Sequence, residues 1–500
     1  MDSIIQEINN FNNTFSLSPG QDRNDKRFEI INNIKNIINE LNIMFDINGI
    51  VKNKDNGVNV FAMILINLKI QNYKKYYYGE IITDNILNFL IKQLYNDSNY
   101  IKNIARELFT MIINNDLLSK DQIIIFRNFI INYYNKVDKN NSDYNKIIEW
   151  IHEILLLTSN CNKNSLLGCI IGKCVGDSLG FIVEGHGPNR CSEFVNEFVL
   201  QKKYPEWVRC SSLKYGQYSD DSQLTRELLI SLLMSEKGKI ETLIYAKQIS
   251  KLFIPNNYRI VGYGRTCAKA GEAIYNGQCY KTTGCTESYG NGSAMRSAPI
   301  GILFNKKEDI IDISRKLSSI THSNPRCMSC SSVIALANKF AMACKNIEFN
   351  IDMFIKYISQ TEDESLNNYI KLIPSLIQNN ISRDEVCKKF VKIGMDDGEG
   401  EWDGISPGVT QTILWSLYSF CKYPNSFIDC IAEAIAVGGD VDTTAAISGA
   451  ISGSRLGDQQ IPEVWKYELN DLNEWNYTDL CNLVNEVFKI VNNNDIKLIY

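Results

Sequence analysis

Two short segments bring carboxylates and hydroxyls together in a pattern suited to hard cations. The first is Tyr218-Ser219-Asp220-Asp221-Ser222-Gln223, followed by Leu224, Leu228, Leu229 and Leu232 at helical spacing. Asp220 with Gln223 three residues on resembles a capping box, and acids favour a helix N-terminus. Capping needs one short polar residue, whereas two adjacent carboxylates repel unless a cation neutralises them. The second is Gly438-Gly439-Asp440-Val441-Asp442-Thr443-Thr444, which runs into a stretch of Ala, Ser and Gly. Asp-x-Asp-Thr offers three hard oxygen ligands of the kind Mg²⁺, Mn²⁺ or Ca²⁺ takes. Only His152, His186 and His322 supply imidazole in 500 residues, so any metal here must rest mainly on carboxylates. Together the two segments suit a pair of cations sharing carboxylates, with the ~3.5–4 Å separation of two-metal sites.

A third segment, Glu287 to Pro299, holds Ser288-Tyr289-Gly290-Asn291-Gly292-Ser293. A Gly-x-Gly turn of small residues exposes backbone N–H groups able to cradle phosphate, although an ordinary loop has the same composition. A fourth carries Gly168, Gly172, Gly176 and Gly180 at four-residue spacing, one small face of a tightly packed helix whose C-terminal end brings Asp177 and Glu184 to one place. Other features carry less. Cys327-Met328-Ser329-Cys330 lacks the second pair or nearby His of a zinc site. Asp396 to Asp403 is acidic without calcium-loop spacing. His152 reads as a packed helix histidine, and Tyr76, Tyr77 and Tyr78 as a packed helix edge.

In this order and at these separations, Gly176-Asp177-Ser178-Leu179-Gly180 with Glu184, Tyr218 to Ser222, Ser288 to Arg296, Ile320-Thr321-His322 and Gly438 to Thr443 resemble the ADP-ribosylglycohydrolase family. The resemblance covers about residues 163–470. It implies an all-α fold of about a dozen or more helices around a binuclear Mg²⁺ or Mn²⁺ centre. The implied reaction cleaves the glycosidic bond joining ADP-ribose to a protein side chain or small acceptor. By motif match, Ser219, Asp220, Asp221, Asp440, Asp442 and Thr443 become ligands of two Mg²⁺ (or Mn²⁺), and Glu184 the catalytic base or gate. Ser288, Tyr289, Gly290, Asn291 and Gly292 become the diphosphate and adenosine loop, and His322 lines the ADP-ribose cleft. Ser219 departs from the usual Thr, but its hydroxyl still ligates. Trp402 to Trp415 matches a cleft segment only loosely. The implied partner is an ADP-ribosylated protein or an ADP-ribose-containing small molecule. A catalytically silent ADP-ribose-binding or structural relative, a metal-dependent phosphohydrolase and an adaptor acting through its N-terminal helices remain open alternatives.

The elements that must position these residues fall into two parts. All 15 cysteines lie at or after Cys161, while Pro19 is the one proline and Gly20, Gly49, Gly57 and Gly79 the four glycines before it. The first 160 residues are instead rich in Ile, Asn, Lys and Tyr. Apolar residues at three- and four-residue steps over 30–44 (Ile30, Ile31, Ile34, Ile37, Ile38, Leu41, Met44) and around 58–72, 84–96, 99–114, 120–136 and 144–158 predict five or six antiparallel helices. The expected organisation is a disordered tail (1–25), a helical bundle or array (26–160) whose default role is binding a protein partner, and a catalytic domain (163–500). The composition, 44% hydrophobic and 22% charged, is globular. A net charge of −5 gives no nucleic-acid footprint. Scattered, odd-numbered cysteines, a start without a signal-peptide pattern and no long apolar run predict an intracellular, cytoplasmic protein without membrane contact.

Overall fold

The computed structural model describes residues 84–96, 99–205, 213–214, 216–235, 239–397 and 400–493, together with 63, 66, 82 and 497–499. The helices expected over 30–44 and 58–72, the tail over 1–25 and the Tyr76 to Tyr78 run lie outside these stretches or are touched only at 63 and 66. The chain divides into two compact units between Thr158 and Ser159.

In the first unit, α1 (Asp84–Gln93), α2 (Asn99–Asn114), α3 (Lys120–Tyr134) and α4 (Tyr144–Leu157) coincide with four of the predicted stretches. Their boundaries follow from local chemistry. Ser119 caps α3, and Gln122 reciprocates in a full capping box, satisfying two N–H groups that the helix itself leaves open. Phe109 of α2 stacks on Phe126 of α3 at 4.3 Å. His152 is buried on α4, with Nδ1 2.7 Å from the Ile148 carbonyl, which is the packed histidine its apolar neighbours predict.

The second unit is helical apart from short strands: β1 (Lys239–Glu241) pairs in parallel with β4 (Lys497–Ile499), and β2 (Phe253–Ile254) antiparallel with β3 (Asn257–Tyr258). The architecture is therefore all-α, as expected. Its centre is the pair formed by α5 (Lys163–Phe181) and α13 (Val441–Leu456), which share the most extensive contact between helices among the described residues. Around them lie α6 (Asp220–Met234), α7 (Thr242–Leu252), α8 (Arg265–Tyr275), α9 (Lys307–Ser318), α10 (Pro325–Ala343), α11 (Val409–Lys422) and α12 (Phe427–Ala436), with α14 (Tyr477–Asn493) near the C-terminus. Further helices, Arg383–Ile393 among them, fill the connections. No helix among the described residues is long and apolar enough to cross a membrane.

The four-residue glycine spacing explains the central pair. A methyl group at Gly168, Gly172 or Gly176 would lie 2.2, 2.3 or 2.1 Å from the backbone oxygen of Gly453, Gly449 or Ala445. The two backbones run antiparallel in direct contact, and no side chain fits between them. Close approach brings the C-terminal end of α5 beside the N-terminal end of α13, where Asp440 and Asp442 stand.

Candidate active site

Three helix ends meet at the site. On α6 the N-cap is Ser219, whose hydroxyl accepts from the Asp221 amide at 3.3 Å. The capping box expected from Asp220 and Gln223 does not form. Asp220 is the first helical residue, and Gln223 reaches out to Asp471. The missing acceptor comes from another helix. Asp177 of α5 takes the amides of Ser219 (2.8 Å) and Ser222 (3.0 Å) and the Ser222 hydroxyl (2.6 Å). Asp177 thus serves as a buttress under the α6 start. Glu184 lies in the turn beyond the end of α5, and both carboxylates add to burial in raising the pKa of Asp220 and Asp442.

That turn is held by backbone. Gly185 donates to the Gly439 carbonyl at 2.9 Å, and Gly439 donates to the His186 carbonyl at 2.9 Å. Gly438 and Gly439 have φ of +79° and +89°, which L side chains rarely adopt, and a Cβ at Gly439 would meet the Ile405 oxygen at 2.1 Å. The Gly-Gly pair therefore aims Asp440 and Asp442 at Glu184. One carboxylate oxygen from each of these three lies within 4.8 Å of the others.

The two acidic segments touch through Thr443. Its hydroxyl lies 3.2 Å from Asp221 Oδ2 and 3.3 Å from Asp440 Oδ1. Asp440 Oδ2 accepts from Asn291 Nδ2 at 2.6 Å, which ties the Gly-rich loop to the acidic cluster. Burial raises the pKa of Asp220 and Asp442 well above the carboxylate range, with Asp221, Asp440 and Glu184 adding repulsion; Asp440 is pushed up to about 7 by burial and Glu184. Buried, mutually repelling carboxylates call for positive charge beyond the Lys173 ammonium, which lies 3.6 Å from Asp221 Oδ1. Asp221 Oδ1 is buried and receives no hydrogen bond. An all-oxygen donor set with an orphaned carboxylate oxygen fits a hard divalent cation.

The Gly-rich loop crosses a second strip of chain. Asn291 N–H donates to the Pro407 carbonyl at 3.0 Å, and Val409 N–H to the Tyr289 carbonyl at 2.8 Å. Ser288 Oγ accepts from Thr266 (2.9 Å) and from the Gly290 amide (3.3 Å). The amides of Gly290 and Asn291 are thus engaged internally, contrary to the exposed cradle expected of the turn. Gly292 is half-buried, and a Cβ there would meet Cys267 Sγ at 2.8 Å and His322 Cε1 at 3.0 Å. His322 is held by Thr321 Oγ1, 2.8 Å from its Nδ1. Burial, with the Arg296 guanidinium adding to it, lowers its pKa to about 3, so the imidazole is neutral. Arg296 Nη2 donates to Thr321 Oγ1 (2.8 Å) and Nη1 to the Gly292 carbonyl (2.7 Å), bracing loop and histidine together.

All the sequence-predicted site residues therefore gather around one region. Glu184, Ser219, Asp220, Asp221, Asp440, Asp442 and Thr443 form its acidic part, and Ser288 to Gly292 with His322 form the adjoining loop. The sequence reading overlooked Lys173, Arg296 and the tether from Asn291 to Asp440. A charged residue in the small-residue run of α5 was the available signal for Lys173, whereas the Asn291 tether spans 149 positions and leaves no local trace.

Residues 159–496 match the family described as ADP-ribosylglycohydrolase. ADP-ribosylhydrolase ARH3 of Xenopus tropicalis is 25% identical over 339 residues, covering 63% of this chain and 93% of its own. ADP-ribosylhydrolase ARH3 of Homo sapiens is 23% identical, with 61% and 90% covered. ADP-ribosyl-[dinitrogen reductase] glycohydrolase of Rhodospirillum rubrum is 24% identical, also with 61% and 90% covered. A solved structure described as an ADP-ribosylglycohydrolase-related protein complex covers 66% of this chain and 98% of its own at 17% identity, with a TM-score of 0.45.

Proposed function

The chain belongs to the ADP-ribosylglycohydrolase family through residues 159–496, and we propose that it hydrolyses the glycosidic bond between ADP-ribose and a modified protein side chain or small acceptor. The observation that carries this reading is the convergence of Glu184, Asp440 and Asp442 beside Asp221 and Thr443, within a hydrogen bond of the Ser288 to Gly292 loop. Ser219, Asp220, Asp221, Asp440, Asp442 and Thr443 would hold two Mg²⁺ or Mn²⁺. When bound, such cations supply charge for vicinal ribose hydroxyls and lower the pKa of water.

The chain's own groups do the rest. Glu184 is half-buried and stands at the edge of the acidic part, where its carboxylate takes the proton of an attacking water or delivers one to the departing group. The bond from the anomeric carbon to the acceptor nitrogen or oxygen breaks, water supplies the new oxygen, and the acceptor leaves protonated. The transition state is oxocarbenium-like, as in other glycosidic cleavage. The Ser288 to Gly292 loop borders the diphosphate side through groups other than the engaged Gly290 and Asn291 amides, and neutral His322 lines the cleft without placing a second positive charge beside Arg296. Asn291 keeps Asp440 in one orientation, so the geometry is set before substrate arrives.

Assaying ADP-ribosylated arginine, serine and O-acetyl substrates, with and without chelator, tests this reading. Release of free ADP-ribose that stops with chelator and returns with Mg²⁺ supports it. Binding of ADP-ribose with no turnover on any substrate would favour a silent relative.

A further inference from the structure

A fully buried lysine stands inside the acidic site. Lys173 lies on α5, 0% exposed, between Gly172 and Cys174. Its Nζ donates to the Met295 carbonyl at 2.7 Å and lies 3.6 Å from Asp221 Oδ1. That is the same carboxylate oxygen that receives no hydrogen bond. Both side chains of the pair are almost wholly inaccessible, at 1% and 2%. A carbonyl oxygen needs only a neutral donor, and an ammonium taken out of water is costly unless a negative group pairs with it. The charge is therefore matched to the carboxylates, and its separation from Oδ1 is that of an ion pair without a hydrogen bond.

We propose that Lys173 is a built-in countercharge of the acidic site. It holds Asp221 in place when no divalent cation is bound, and it competes with such a cation for Asp221 Oδ1. The site then binds its cations more weakly than its carboxylates alone would dictate. Through Met295 the same ammonium links the Gly-rich loop to the α6 start. This inference rests on reading the site as a cation centre.

The test uses the full chain, stripped with chelator and dialysed, with Mn²⁺ or Mg²⁺ titrated calorimetrically and thermal unfolding followed with and without metal. Lys173→Met should bind Mn²⁺ at least tenfold more tightly than the wild type. It should also melt lower when metal-free, with the gap narrowing at saturating Mn²⁺. Lys173→Gln, which keeps a donor for Met295, should show the same tightening, and it serves if the Met variant does not fold. Adding Asp221→Asn to Lys173→Met should recover at least half of the metal-free loss in melting temperature, because the uncompensated charge is gone. An affinity within twofold of wild type, or weaker, overturns the countercharge role while leaving the cation centre standing. Absence of Mn²⁺ and Mg²⁺ binding by the wild type overturns both.

Discussion

Asp440 is held from two sides, by Asn291 on Oδ2 and Thr443 on Oδ1, so its orientation is fixed by the chain itself. Asp442 has a different role: burial and the nearby Glu184 and Asp440 make its ionised form costly. Asp442→Asn should therefore lower turnover on ADP-ribosylated peptide by on the order of 10³, the scale of losing one preorganised electrostatic contact to a reacting centre. The same change should raise the melting temperature of the metal-free protein, because a neutral amide relieves repulsion. Retained activity would sink the ligand assignment. His322 gives the pH prediction. Its folded pKa of about 3 lies below its ordinary 6.5, so the unfolded chain binds the extra proton between those values. Stability is full above 6.5 and falls as the pH drops toward 3, by up to about 2 kcal/mol between 6.5 and 5 for one such group. The wild type should lose more melting temperature than His322→Gln between pH 7 and pH 5. Parallel curves for the two proteins would remove His322 from the account.

Elements were readable where one face meets water. The helices over 84–96, 99–114, 120–136 and 144–158 carry a one-sided apolar stripe, and the structure places α1 to α4 there. On α10 and α13 nearly every residue is buried, so amphipathic periodicity is silent, and spacing of small residues becomes the useful signal, whereas the leucines of α6 still mark that helix. The start of α6 shows where local reasoning fails: Asp177, 42 positions upstream, supplies the acceptor that Asp220 was expected to provide. The α5–α13 contact yields a sharp prediction. Ala would ordinarily gain about 1 kcal/mol over Gly within a helix. At Gly176 its methyl would stand 2.1 Å from the Ala445 oxygen, a backbone atom that cannot rotate away. Overpacking of about 1–3 kcal/mol should outweigh the propensity gain. Gly176→Ala should lower the denaturant midpoint and, by prising the α13 start from α5, reduce turnover as well. At Gly264 an added Cβ meets nothing within 4 Å, and Gly264→Ala should be near neutral. If the two variants unfold together, direct backbone contact is not what sets the helix spacing.

At the scale of the whole chain, the change in Cys, Gly and Pro usage near residue 160 has a physical basis. Glycines are needed where helices approach to backbone contact, and that contact belongs to α5 and α13, both after Ser159. Among the described residues of the first unit, α1 to α4 pack through bulky Ile, Phe, Tyr and Trp side chains and contain no glycine. The chemistry follows the same division. The candidate site residues run from Glu184 to Thr443, and the family match begins at residue 159. The hydrogen bonds that orient Asp221, Asp440 and His322 come from Thr443, Asn291 and Thr321, all within the second unit. None of the residues assigned to the proposed reaction precedes Ser159. A protein beginning at Ser159 should therefore fold, bind Mg²⁺ or Mn²⁺ and release ADP-ribose with a kcat close to that of the full chain. Measuring kcat and KM separately gives the comparison its force. An unchanged kcat with a raised KM on modified protein, but not on a small ADP-ribosylated acceptor, would assign the first unit to recruiting the protein substrate. A folded, metal-binding protein that has lost kcat on both substrates would place part of the catalytic machinery before residue 159.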